Sequence, residues 1–141
     1  MATLNAIHDT GPDIEPVLIH TQDELTGFVD RVRADSAEHD HPPVVEFTLA
    51  QDPWGSPVLY AGIGRDRGFV QYLPPGGTAR ATQGDPQATG MAVYDLQGQE
   101  HLVPAAQQVP LATVQALLAA YLAGHGVLPA DQPELHPLDP S

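Results

Sequence analysis

The chain contains no cysteine and no lysine, three serines, a single tryptophan, and no apolar run approaching membrane-spanning length. Each absence removes a class of function. Without cysteine there are no disulfides, no thiol nucleophile and no thiolate metal site. Without lysine no G-K-[ST] phosphate loop exists. Ser36, Ser56 and Ser141 are the only serines, and none stands in a G-x-S-x-G elbow or beside a plausible base and orienting group. The N-terminal MATLNAIHDTG lacks a basic segment followed by an apolar run, so no signal peptide is visible and a cytoplasmic location is expected.

What is present describes a globular domain. With 141 residues, 42% of them apolar and 16% charged, the chain suits one core, while 15 prolines and 13 glycines imply many turns. Eighteen acidic residues face five arginines, for a net charge of −13. Such a chain repels nucleic acid and anionic membrane and attracts basic partners.

The order of elements can be read from periodicity. Two short apolar runs, LNAIH (4–8) and VLIH (17–20), flank the turn-forming DTGPD and suggest a strand pair. Thr21 and Glu24 have capping-box spacing, and Leu25, Phe28, Val29 and Val32 then share one face of a helix expected from 22 to about 37, stopped by HDHPP. VVEFTLA (44–50) alternates as a half-buried strand. VLYAGIG (58–64) and GFVQYL (68–73) read as two strands, and MAVYDL (91–96) and EHLVP (100–104) as a hairpin around Q-G-Q. The segment between 73 and 91 is expected as a long loop. Pro110 suits the first turn of a closing helix striped by Leu111, Val114, Leu117, Leu118, Tyr121 and Leu122, with Gly124 or Gly126 as its stop. Strands in succession with helices outside them predict an α+β fold: a mostly antiparallel sheet of about six to seven strands carrying two main helices. Residues 1–128 form the expected single domain and 129–141 a proline-rich tail.

Candidate chemistry is sparse. Gly62, Gly64 and Gly68 lie between two strands, whereas a phosphate cradle needs glycines between a strand and a helix; a hairpin is predicted, with positive φ at Gly64 and Gly68 and Arg65, Asp66 and Arg67 at its tip. His39 and His41 in E-H-D-H could clip a metal, but no further ligands appear at a recognisable spacing, and a solvated helix end is the better reading. His101 and His125 are isolated. Glu46, Asp52, Asp66, Asp85, Asp95 and Glu100 could meet in space, although spacing singles out no pair for acid–base work. The chain therefore reads as a binding protein, not an enzyme, with no cofactor.

VLIHTQDELTGFVDRV, a strand leading into a capped helix, YAGIGRDRGFVQYL, a glycine hairpin, and VPLATVQALLAAYLAGHGVLP, a closing helix with a G-x-x-P exit, together span most of residues 4–129. In this order the chain resembles the deaminase-associated immunity proteins of bacterial polymorphic toxin systems, abundant in actinobacteria. The resemblance implies a cytoplasmic antitoxin that blocks a cognate toxin with a basic substrate groove. Such toxins are frequently zinc-dependent nucleobase deaminases. Neither nucleic acid nor membrane is an expected partner. Aromatic anchors ringed by carboxylates suit a basic partner, which makes Gln51, Asp52, Trp54, Asp66, Tyr72, Asp85 and Glu100 the contact candidates, although Trp54 and Tyr72 fit a core equally well. A secretion chaperone or adaptor, and a small ligand-binding domain or enzyme with a carboxylate and histidine pocket, remain alternatives.

Overall fold

Thr21 and Glu24 start the first helix as their spacing predicts. In the computed structural model, which describes residues 3–7, 17–36, 41–52, 55–96, 99–129, 132 and 135–137, helix α1 runs over Gln22–Ser36. Thr21 Oγ1 accepts the Glu24 amide at 3.1 Å, and the Glu24 carboxylate accepts the amides of His20 at 2.9 Å and Thr21 at 3.2 Å. The His20 amide, chief among these donors, holds the Glu24 carboxyl below its ordinary range. Leu25, Phe28, Val29 and Val32 are all buried.

The strands are β1 (Leu4–Ile7), β2 (Val17–Ile19), β3 (Val44–Leu49), β4 (Val58–Ile63), β5 (Arg67–Leu73), β6 (Arg80–Thr82), β7 (Met91–Leu96), β8 (Gln99–Pro104), β9 (Val109–Pro110) and β10 (Leu135–Pro137). Eight of them form one antiparallel sheet in the order β10-β6-β5-β4-β3-β1-β2, with β9 alongside β5. The expected α+β architecture is thus observed, with two differences. The short strands β6, β9 and β10 carry too few residues for an alternating pattern to reveal them. And β7 and β8 leave the main sheet to form their own two-stranded one. In the segment expected as a tail, Leu135–Pro137 pairs with β6, and Leu135 is buried.

Helix α2 (Leu111–Ala123) packs on the sheet through its predicted stripe, all six residues of which are buried. Pro110 lies one step earlier than expected: it ends β9, opposite Arg67, and occupies the N-cap position. The helix closes in a Schellman motif. Gly124 is the C-cap, His125 takes φ 57°, its amide donates to Leu122, and the Gly126 amide reaches back to Tyr121 at 2.8 Å. Buried in the main core, the Tyr121 hydroxyl donates to the carbonyl of Pro57 at 2.6 Å, with that of Phe47 at 3.3 Å, and so ties α2 to the β3–β4 connection. Burial, then the neighbouring Tyr72, pushes its pKa well above the ordinary 10.0.

The Gly64–Arg67 turn joins β4 to β5 as predicted, but its glycines serve another purpose. Positive φ falls at Gly76, Gly90 and Gly126, not at Gly64 or Gly68. A Cβ on Gly68 would instead land on the Gly62 carbonyl oxygen, and one on Gly64 would sit 2.7 Å from the Arg67 oxygen. Close backbone approach is the requirement there.

Two outcomes follow for stability. Tyr121→Phe leaves the buried Pro57 carbonyl without its hydroxyl donor and should destabilise the protein by about 1–3 kcal/mol in urea melts. Because the folded phenol resists ionisation, its contribution is intact below pH 10.0, the ordinary value, and is lost as pH rises toward the higher folded value; the variant should flatten that alkaline decline. His125→Gly relieves a left-handed residue and should raise stability by about 0.5–1 kcal/mol in the same melts.

Candidate functional site

Strands β3, β4 and β5 are apolar on both faces. Val45, Phe47, Leu59, Ala61, Ile63, Val70 and Tyr72 point to the helices, while Val44 and Phe69 point the other way and join Tyr94 and Val103 in a second cluster. That second cluster is the footing of the β7–β8 hairpin. In cross-strand register, Val44 faces Gly62 and Gly62 faces Phe69. With no side chain at Gly62, the Phe69 ring lies over the sheet and Tyr94 meets it edge-on at 4.8 Å; a Cβ at Gly62 would collide with the Phe69 ring and come within 2.7 Å of Tyr94.

Pro42 and Pro43 fasten the hairpin. The sequence suggested that these prolines stop a helix, but each also offers a carbonyl with no amide of its own. Pro43 accepts the Ile63 amide of the main sheet at 3.0 Å, and Pro42 accepts the Asp95 amide of β7 at 2.8 Å. Further along, Gln108 Nε2 donates to the Tyr94 hydroxyl at 2.9 Å, and burial raises the Tyr94 pKa against that bond's lowering effect.

His101 packs beside two aromatic rings, stacked on Phe69 at 5.9 Å and tilted against Tyr60 at 6.5 Å. Its Nε2 is buried without a hydrogen-bond partner among the described residues. Beside it a shallow cleft of about 230 Å³ is lined by Glu46, Tyr60, Leu96 and Gln99. Burial, then the Glu46 carboxylate across the ladder, raises the Tyr60 phenol above its usual range. A cleft this small falls below the roughly 300–1,000 Å³ of small-molecule sites. Among the described residues no group of three or more His, Asp or Glu side chains could hold a metal ion.

The candidate contact residues do not form one patch. Gln51 and Asp52 follow β3, where Gln51 Oε1 accepts the Thr3 amide at 3.3 Å and the Asp52 carboxylate accepts the Gly55 amide at 3.0 Å. Asp66 lies at the other end of β4, at the hairpin tip, 91% exposed and 3.9 Å from Arg33. Asp85, in the loop before β7, accepts the Gln87 amide at 2.9 Å. Tyr72 is buried, with its hydroxyl accepting the Leu128 amide at 3.1 Å and Arg80 over its ring at 5.1 Å, so it is a core residue. Trp54 and His39 lie outside the described residues. Glu100 stands exposed on β8.

Sequence reasoning missed the outward side of that hairpin. Tyr94 and Val103 turn in, whereas Met91, Val93, Leu102 and Pro104 turn out, and Met91 and Leu102 stay 55% and 51% exposed. A usable signal was present: MAVYDL and EHLVP carry apolar residues at both parities, more than one buried face can absorb.

A sheet covered by helices on one side and a hairpin on the other, with an exposed apolar hairpin face and an acidic composition, has the features of proteins that act through protein contact. The comparisons narrow the class. Immunity protein Imm1 is the family that matches, over residues 13–137, and the chain belongs to that family. None of the curated proteins with which the sequence was compared matches it. Among solved structures, the fold is similar to that of a hypothetical protein from Neisseria gonorrhoeae, at 10% identity and a TM-score of 0.50, over 89% of this chain and 90% of that one.

If Gly62 is the seat of the hairpin, Gly62→Ala should destabilise the protein by about 1–3 kcal/mol through overpacking. Adding Phe69→Leu should recover part of that loss, measured as a non-additive double-mutant cycle in thermal melts.

Proposed function

We propose that this protein is the antitoxin of a polymorphic toxin system, acting in the cytoplasm to bind a cognate toxin domain and cover its catalytic cleft, and that the toxin is a nucleobase deaminase. The observation that carries the reading is the Imm1 match across residues 13–137. Charge supports the choice of target. An enzyme that grips a polyanion presents cationic surface around its active site, and a chain of net charge −13 is the complement of such a surface. Blocking by occlusion requires no reactive group on the inhibitor. Long-range attraction would also speed capture, which matters when the toxin acts before it is bound.

Co-expression with the toxin domain encoded by the adjacent reading frame should restore growth. At equimolar amounts the purified protein should stop base conversion by that domain on a single-stranded oligonucleotide, with an association rate that falls as salt rises. Growth rescue without any base-converting activity in the toxin would assign the toxin another chemistry. Increased toxin secretion without rescue would identify a chaperone instead.

A further inference from the structure

The outward face of the β7–β8 hairpin leaves Met91 and Leu102 more than half exposed. Its residues form three cross-strand pairs, Met91 with Pro104, Val93 with Leu102, and Asp95 with Glu100. The Asp95 amide points away from β8, to Pro42, so these are the non-hydrogen-bonded pairs, in which facing Cα atoms come to about 4.5 Å and side chains lie closest. Four apolar side chains are therefore contiguous, and two carboxylates stand side by side at the end of the row. Leu18 and Val127, the other large apolar residues exposed among those described, lie elsewhere, on β2 and after α2. Like charges directly opposite each other are unfavourable in an isolated ladder. A cation beside Glu100 offsets that repulsion. Glu100 makes no ion pair among the described residues.

We infer that this face is where the toxin docks, an assignment that rests on the antitoxin reading above: an apolar side chain of the partner packs on Met91, Val93, Leu102 and Pro104, and an adjacent lysine or arginine pairs with Glu100. The occupant is a protein surface with an apolar centre and a basic rim, because the face offers an apolar centre and an acidic end in a chain of net charge −13. A nucleic acid would be repelled by it. The arrangement is that of an interface hot spot, an apolar anchor site with charge at its margin.

The test uses the full chain and a catalytically dead form of the adjacent-frame toxin domain, with binding measured by calorimetry. Wild type should bind. Glu100→Lys and Leu102→Arg, both at exposed positions, should each weaken binding by about tenfold or more, whereas Asp30→Lys on the outer face of α1, with the same change in net charge as Glu100→Lys, should change it by less than about threefold. Unchanged thermal melts for the three variants show that the fold is intact. Wild-type binding with Glu100→Lys and Leu102→Arg both within threefold of it would overturn the docking face and leave the antitoxin reading standing. Absence of wild-type binding together with absence of growth rescue would overturn the antitoxin reading, and the docking face with it.

Discussion

The missing side chain at Gly62 is the constraint on which the seating of the β7–β8 hairpin depends. It leaves a bare spot at the centre of the sheet, on the side away from the helices, just large enough for the Phe69 ring. Tyr94 stands against that ring, and with Tyr94 comes the whole β7–β8 hairpin. At the Pro42–Pro43 step a parallel bridge between Pro43 and Asp95 then joins the two sheets, with the Pro42 carbonyl accepting the Asp95 amide. A glycine that looks like a turn residue in sequence is in fact a packing residue, and it positions the exposed apolar face of the hairpin.

Covering is unequal on the two sides of the sheet. On one side α1 and α2 bury a continuous core that runs from Leu4 to Leu135, and Tyr121 satisfies backbone carbonyls within it. On the other, a single hairpin covers a smaller cluster, and its own back is left to solvent. Burying this much apolar surface offsets the self-repulsion of an acidic chain. An exposed ion pair contributes little to that balance: the Arg33–Asp66 contact spans 3.9 Å between exposed side chains, the kind of pair that adds roughly 0–1 kcal/mol.

Local chemistry carried much of the fold. The Thr21–Glu24 box, the α2 stripe and the alternation in VVEFTLA each follow from the spacing of side chains along one element, and each is realised. What was illegible involves distance. Nothing in GIGRDRG says that its glycines are needed where backbones and rings approach one another, because the colliding atoms come from neighbouring strands. Pairing of Leu135–Pro137 with β6 joins residues more than fifty positions apart. The contact residues were the least legible part. Tyr72 has the chemistry of an interface anchor and the position of a core residue, and only burial distinguishes the two. The outward row on β7 and β8 lay in a segment that reads as a hairpin, but whose second apolar face had no assigned cover.

An open sheet has two outer strands, and here both are only three residues long: β2 at one margin and β10, ending in Pro137, at the other. On the smaller sheet, β8 ends in Pro104 and carries the charge of Glu100. Short, proline-terminated or charged margins are poor templates for another copy's backbone. Polymerisation through strand edges is thereby discouraged, although the hairpin leaves an apolar face uncovered.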